Sequence, residues 1–430
     1  MKIAIIGSGI SGLAVAHRLR GKADVTLFEA ARYFGGHTHT VDLTLPSPKG
    51  PVTHGVDTGF LVFNERTYPA LIALFAELGV ATAKSDMSFS VQAPLANAAR
   101  TLEWSGSTLG SVFAQRSNLL SPRFWRMLRD VLRFNQLATD IAERNAEAEL
   151  GQPLAAFLDQ HSFSAEFRHW YFLPMLGCIW SCPTDQMLQF PVATMIRFCH
   201  NHGLIQVSNR PQWWTVSGGA KHYVDKIVAA VDDKRLNTPV QQVRHDAEGV
   251  LVTSGSQTER FDRVVLATHS DQSLALLGDP TDQERAVLGS IRYQDNRAVL
   301  HTDTSVLPRE RRAWASWNYE RGADNNQEAA RVCLHYWLNL LQPLPFQQDV
   351  LVSLNPVREI AADHIHASFD YAHPVFDLPA IQAQTQLPTL QGSLHRYFCG
   401  AWTGYGFHED GLKSGLAVAD ALLQDIRGEA

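Results

Sequence analysis

The sequence predicts an α/β fold in which a parallel-sheet domain is assembled from three stretches of chain and an α+β domain is inserted into it. Three observations carry this expectation. An apolar run at the N-terminus, Ile3–Ile6, ends in Gly7-Ser8-Gly9-Ile10-Ser11-Gly12; a second glycine-rich strand–turn–helix pattern follows Tyr397; and between about Asp86 and Leu204 the composition shifts to amphipathic helices rich in Arg, Trp and Phe. At 430 residues the chain exceeds the size at which one hydrophobic core keeps growing, so two domains are expected. The parallel-sheet domain takes 1–85, 205–280 and 390–430, and the second domain takes 86–204 and 281–389.

Ile3–Ile6 is short, β-branched and bounded by glycine, the pattern of a buried parallel strand. Gly7 permits the tight turn that follows, Gly9 lets backbone N–H groups approach a pyrophosphate, and Gly12 lets a helix over Leu13–Leu19 pack on the strand. Val25–Phe28 supplies the next strand and ends in Glu29, about 20 residues past the turn, where a carboxylate receives ribose hydroxyls. Strand, glycines, helix, strand and acid in this order form a Rossmann-like fingerprint for an adenine dinucleotide, with Ser8, Ser11 and Ala30 adjoining it. Glu29 repels a 2′-phosphate, which leaves FAD or NAD.

The formal net charge of −6 offers no global attraction to nucleic acid, and no nucleic-acid partner is expected. Five scattered cysteines suit a reducing, cytoplasmic compartment better than a disulfide framework. Met1–Ile10 is too short and too glycine-rich for a signal peptide, and no stretch is long enough to span a bilayer. Cys178 and Cys182 have a metal-like spacing, but no second pair accompanies them; buried thiols and no metal are expected.

Arg32-Tyr33-Phe34-Gly35-Gly36-His37 comes directly after the ribose acid. In that position it resembles the second cofactor motif of the flavin-containing amine oxidase superfamily, which includes phytoene desaturases and protoporphyrinogen oxidases. The resemblance implies FAD, with Gly35, Gly36 and His37 near the flavin end; Arg32 can meet a phosphate charge. Gly55–Asn64 brings Thr58 and Gly59 into the expected site, while Asp57 and Asn64 either cap turns or touch cofactor. Tyr68–Leu78 predicts a helix closed by Gly79. His200 and His202 read as satisfied polar residues, and Trp213-Trp214 as packing aromatics or a ligand wall. Lys221–Val231 predicts a helix. Leu236–Val243, with Val240, Val250–Thr253 and Phe261–Thr268 predict strands. The last runs into Ala267-Thr268-His269 and resembles the strand end that closes over FAD in the same superfamily. Ile291–Leu300, Ala313–Tyr319 and Val332–Leu340 predict strands of the second domain, with His373-Pro374 in a connecting loop. Near the C-terminus Gly400, Gly411 and Leu412 belong to a glycine-rich turn before a helix over Leu416–Ile426, a second phosphate-accepting geometry.

Gly35-Gly36-His37, Asp57–Asn64, Ser85–Phe89, Arg210–Trp213 and Gly404–Gly411 together resemble the N-terminal FAD-binding oxidase-like domain of plant cyclopropane fatty acid synthases and its stand-alone bacterial relatives. That resemblance implies a two-domain flavoprotein with a lipid connection. The methyltransferase of the plant proteins has no counterpart in this sequence, so cyclopropanation is not expected, and the lysine of polyamine and monoamine oxidases has no matching position.

Two functions are compatible with these readings. One is an FAD-dependent oxidoreductase that takes a hydride from a lipid, fatty-acyl or amine substrate and passes electrons to oxygen or a partner. The other is a flavin-stabilised, non-catalytic protein that presents lipid to a fatty-acid methyltransferase partner. For the first, His269, His335 and His408 are the candidate catalytic residues. Ser121–Phe134 predicts an amphipathic helix on which Arg126, Arg129 and Arg133, with Trp125, could meet an anionic membrane at the inner face.

Overall fold

Five parallel strands, Asp233–Arg235, Asp24–Phe28, Lys2–Ile6, Arg263–Leu266 and Arg396–Phe398, lie side by side in that order. The computed structural model describes residues 1–95, 100–144, 151–181, 183–206, 210–322 and 332–429; Cys182 lies outside them. The first strand is central because the chain winds outward to one side through Asp24–Phe28 and later returns on the other through Arg263–Leu266. Such a reversal opens a crevice at the carboxyl ends of the strands, where ligands bind in sheets of this kind. The elements fall close to expectation here, with helices over Ile10–Leu19, Pro69–Leu78 and Lys221–Ala229. The expected strand over Leu236–Val243 is divided. Asp233–Arg235 joins the parallel sheet, whereas Val240–Asp246 pairs with Gly249–Ser254 in a separate antiparallel sheet completed by Gln257–Phe261.

A seven-stranded mixed sheet holds the strands Ile365–Val375, Arg292–His301, Leu351–Leu354, Cys333–Trp337, Trp317–Glu320, Phe89–Pro94 and Thr101–Ser105, in that order. His373-Pro374 is therefore the end of a long strand, not a loop; the proline is tolerated because Ile365–Val375 is the edge strand. Helices between Pro122 and Asn201 cover this sheet. Their packing centres on Phe134, Phe163, Phe167 and Phe172, whose rings lie 4.4–5.7 Å from that of Phe134. Arg168–Phe172 widens to a π turn just before Pro174. Proline has no N–H to return to the carbonyl of Trp170, and the Trp104 indole donates to that oxygen instead at 3.1 Å, joining helix to sheet.

The final helix runs from His408 to Glu429, two turns earlier than the sequence predicts. Gly411 and Gly415 resemble a turn in sequence but lie inside this helix, where they let it press on the first one. A Cβ on Gly415 would sit 2.3 Å from the carbonyl oxygen of Ser11, and one on Gly411 2.8 Å from Ile10 Cγ2. We expect Gly415→Val to destabilise the chain by about 1–3 kcal/mol or more, the range for overpacking a site that cannot yield. Denaturant unfolding measures this; an unchanged midpoint would show that the two helices can separate freely.

Candidate active site

The carboxyl ends of the central strands open into a cavity of about 770 Å³. Its wall near the parallel sheet is the turn after the first strand. Gly7 adopts φ +100°, a conformation L side chains avoid, and the next helix starts with Gly9 as its N-cap. A Cβ on Gly9 would meet nothing within 4 Å, so that backbone faces open space. Glu29 is held across the turn: one carboxylate oxygen accepts from the backbone N–H and hydroxyl of Ser8 at 3.0 and 2.5 Å, the other from the Ala31 N–H at 2.8 Å. Ser8 Oγ in turn accepts from the Gly35 N–H at 3.0 Å, so a single hydroxyl ties the fingerprint to the following glycine pair.

Of the residues singled out in sequence, Gly7, Ser8, Gly9, Ser11, Glu29, Ala30, Gly35, Gly36, His37, Thr58, Gly59, Val240, Ala267, Thr268, His269, Gly400 and His408 line this cavity. Gly12 lies behind the turn, where a Cβ would stand 2.0 Å from the Gly7 carbonyl oxygen; its part is helix packing. Four expectations need correction. Arg32 is exposed and does not line the cavity, because the turn after Glu29 carries its side chain to solvent. Gly411 and Leu412 point to the first helix and the core, because the last helix has already begun at His408.

His335 is the fourth. On the strand Cys333–Trp337 its neighbour Tyr336 lines the cavity, so alternation sends His335 to the opposite face. There it bonds Ser353 Oγ at 2.6 Å and Glu320 Oε2 at 2.9 Å, and Arg358 holds the other Glu320 oxygen at 2.7 Å. Glu320, Cys333 and His335 also offer three potential ligand atoms within 4.8 Å of one another, but these bonds already form a closed network. Asp57 and Asn64 are structural as well. Asp57 is buried and accepts from Ala220 N, Thr40 Oγ1 and Gln342 Nε2, while Asn64 caps the turn through Arg66 N and Thr67 N.

The sequence reading missed a histidine–tyrosine cluster at the middle of the cavity. His37 lies with its ring centroid 5.0 Å from Tyr371, 5.5 Å from His373 and 6.0 Å from His269. Tyr371 and His373 are two apart on one strand and face the same way, a period-two signal hidden by the adjoining proline. Asn296 Nδ2 donates to His373 Nδ1 at 3.0 Å, and Tyr371 bonds Thr58 Oγ1 at 2.9 Å. His269 stacks on Tyr293 at 4.4 Å; His408 stacks on Phe60 at 3.9 Å and bonds the Tyr223 hydroxyl at 2.7 Å. Burial drives His37 and His269 down to about 4, and His373 and His408 to about 3, with repulsion from neighbouring imidazoles adding to it. All four rings are neutral at physiological pH. His37 Nε2 is buried without a hydrogen-bond partner among the described residues.

Beyond this cluster the lining is mostly apolar, with Met87, Ile179, Trp180, Phe198, Leu204, Trp213, Trp317, Tyr336, Val352, Leu354 and Phe407; Ser181 and His202, whose ring stacks 4.0 Å from that of Phe198, are polar members of it. Among the described residues lining the cavity, Glu29 is the one carboxylate, and there is no lysine or arginine. The donor set fits a flavin dinucleotide: a strand-end acid for ribose, an open glycine at a helix N-terminus for pyrophosphate, and backbone turns with neutral imidazoles at the far end.

Residues 10–310 match the family described as flavin containing amine oxidoreductase. Among solved structures the chain is similar to cyclohexylamine oxidase from Brevibacterium oxydans IH-35A, with 17% identity, a TM-score of 0.67 and 99% of both chains covered. It is similar to a CLA-producing fatty acid isomerase from P. acnes, with 15% identity, a TM-score of 0.65, and 97% of this chain and 98% of that one covered. Putrescine oxidase, with 16% identity, a TM-score of 0.66 and 99% of both chains covered, is a third such fold. No curated protein matches the chain.

Because a Cβ on Gly9 has free space around it, Gly9→Val is expected to fold with near-normal stability yet lose flavin, its side chain lying where the pyrophosphate must approach. Full flavin content after dialysis would remove Gly9 from the site. The imidazoles set a pH dependence. Their folded values lie below the ordinary 6.5, so between about 6.5 and 4 the unfolded chain binds more protons and stability falls as pH falls. Asp57 and Asp410, pushed up to about 6 by burial, oppose this, but they are two carboxyls against seven imidazoles, since burial also lowers His39, His202 and His301 to about 4. Unfolding free energy should therefore drop from pH 6.5 to 4.5, with a shallower slope in His373→Gln; an equally steep slope in that variant would show that His373 does not contribute.

Proposed function

The chain belongs to the flavin containing amine oxidoreductase family and is an FAD-dependent oxidoreductase, and from that premise we propose that its substrate is a long apolar molecule of the fatty-acyl class rather than a charged amine. The observation that carries this is the lining beyond the histidine cluster, where aromatic and aliphatic side chains stand without a carboxylate. An ammonium moved into such a space would lose its hydration with no anion to replace it, a penalty of several kcal/mol in a protein interior. An acyl chain gains instead, by about 0.8 kcal/mol for each methylene buried.

Bound FAD supplies the hydride acceptor. The chain's residues bind, orient and exclude water. Trp180, Phe198 and Phe407 form one wall, with ring centroids 4.7 Å apart for Trp180 and Phe198 and 4.9 Å for Phe198 and Phe407. The Trp180 indole donates to the Tyr405 carbonyl at 3.3 Å and fixes that wall to the segment before the last helix. His408, bonded to Tyr223 and stacked on Phe60, is a positioning residue for the same segment. His269 presents a neutral imidazole at the cavity and is the remaining candidate for moving a proton. A fold shared with a protein named as a fatty acid isomerase supports this reading; the folds shared with two amine oxidases supply the competing one.

Anaerobic mixing of the purified flavoprotein with a panel of unsaturated fatty acids and acyl lipids, and separately with mono- and polyamines, distinguishes them. Loss of flavin absorbance with the acyl compounds is expected. Bleaching by amines alone would overturn the proposal, as would an unchanged spectrum with every acyl compound.

A further inference from the structure

The helix expected to carry a basic face spans Pro122–Glu143, and its arginines are not equivalent. Arg123 and Arg126 reach Glu166 at 2.6 and 3.7 Å, and Arg133 bonds the His161 carbonyl at 2.7 Å and pairs with Asp130. Arg129 has no ion pair among the described residues and lies between Trp125 and Leu132 on one exposed stripe, at i+4 and i+7 spacing from Trp125. Trp125 is 49% exposed and Leu132 61%.

This stripe continues into the segment before the helix. The Trp125 indole donates to the Leu119 carbonyl at 2.9 Å, and the Trp125 ring packs 5.4 Å from that of Phe113. Leu120 is 88% exposed, Leu119 48%, and Leu109, one turn before Phe113, 81%. These five residues make up half of the large apolar side chains exposed on the described chain, and four of them fall within Leu109–Trp125. Single exposed leucines are ordinary, but a cluster of this kind marks an interaction surface.

The surroundings of the cluster are basic although the chain as a whole carries a net charge of −6. Arg116 is exposed beside Leu119 and Leu120, and the helical turn Arg311–Ala313, which packs on Leu109–Val112, brings Arg309, Arg311 and Arg312 with one acid, Glu310. Beneath the cluster a cavity of about 230 Å³ is lined by Arg100, Asn118, Ser121 and Arg123, and the buried Asn118 Nδ2 has no hydrogen-bond partner among the described residues. The Arg100 guanidinium with the Asn118 amide donor suits a phosphate oxygen, Arg123 being already paired with Glu166. Trp170 lines the same small cavity. Cys178–Ser181, at the end of the same helical stretch, line the large one, roughly 12 Å further on at helical rise.

We propose that this face is a docking site for a bilayer containing anionic phospholipid: Leu109, Leu119, Leu120, Trp125 and Leu132 enter the headgroup–acyl boundary, Arg116 and Arg129 meet the negative surface, and a lipid phosphate occupies the pocket at Asn118. An interfacial tryptophan, apolar side chains without partners and a local positive field are what such a surface binds. The inference goes beyond the substrate reading and does not depend on it, since attachment is measured without turnover.

Sedimentation of the full-length flavoprotein with sucrose-loaded vesicles tests it. Binding is expected to vesicles containing about one-third phosphatidylglycerol in phosphatidylcholine, to weaken at high salt, and to be slight on phosphatidylcholine alone. Leu119→Ser/Leu120→Ser and Arg116→Gln/Arg129→Gln should each lower the partition coefficient about tenfold or more, with the flavin spectrum showing that the variants are folded. Arg126→Gln, whose side chain is already committed to Glu166, should change it less. No binding by the wild type, equal binding to neutral vesicles, or full binding by both double variants would overturn the proposal. So would vesicle-independent dimerisation that the leucine variants abolish, which would assign the face to a second copy of the chain.

Discussion

The structure depends on how closely backbone can approach backbone around the turn after the first strand. A Cβ on Gly12 would stand 2.0 Å from the Gly7 carbonyl oxygen, one on Gly7 2.7 Å from that of Ala267, and one on Gly415 2.3 Å from that of Ser11. These contacts join segments from the beginning, middle and end of the chain at one place. The central strand, the strand returning after the long excursion and the last helix can meet only because no side chain intervenes. The cavity floor is a consequence: with helix and turn this near, the backbone at Gly9 is left facing open space. Glu29 and Ser8 then lock the neighbouring loops to the same turn through hydrogen bonds of 2.5–3.0 Å.

A second constraint is electrical. Among the described residues lining the cavity there is no lysine or arginine and Glu29 is the one carboxylate, so its polar groups are mostly backbone, hydroxyls and imidazoles. The four imidazoles are crowded together and shielded from water, so a proton on any of them would lose hydration and meet its neighbours, and burial keeps all of them neutral. Neutral rings can still donate and accept, as His373 does toward Asn296 and His408 toward Tyr223. An environment of this kind holds a flat heteroaromatic ligand by stacking and hydrogen bonds, and leaves the ligand's own charge as the main one inside.

The N-terminal part of this arrangement is legible in sequence because it is local. A β-branched run, glycines at fixed spacing and an acid after the next strand are all within thirty residues, and each has a steric or hydrogen-bonding reason. What was not legible depends on contacts distant in sequence or on which face a strand presents. Gly411 reads as part of a turn because glycine serves both loops and close helix crossings, and the distinction lies in Ile10 and Ser11, some four hundred residues away. Arg32 beside a glycine pair suggests a phosphate, yet its direction is set by the turn and not by its charge. Tyr371 and His373 escaped because a proline nearby suggests a loop, although at an edge strand proline costs no ladder bond. The basic helix was visible, but not that Arg123 and Arg126 are occupied, since Glu166 reaches them from a different helix.

His335 shows how the two faces of the seven-stranded sheet make one another possible. On the cavity side stand Trp317, Tyr336, Val352 and Leu354; on the reverse, displaced by one residue, stand Asn318, His335 and Ser353. The reverse face is a hydrogen-bonded network: Ser90 to Asn318, Asn318 to the His335 carbonyl, His335 and His301 to Ser353, His335 to Glu320, and Glu320 to Arg358. A slip of one residue in any central strand would send these polar groups into the apolar end of the cavity and leave their partners buried and unsatisfied. Each such group would cost about 1–3 kcal/mol, so the network specifies register far more strictly than the interchangeable hydrophobic contacts opposite it. The uncharged, aromatic character of the site is thus enforced from behind, by charged and polar residues that never touch what binds in front.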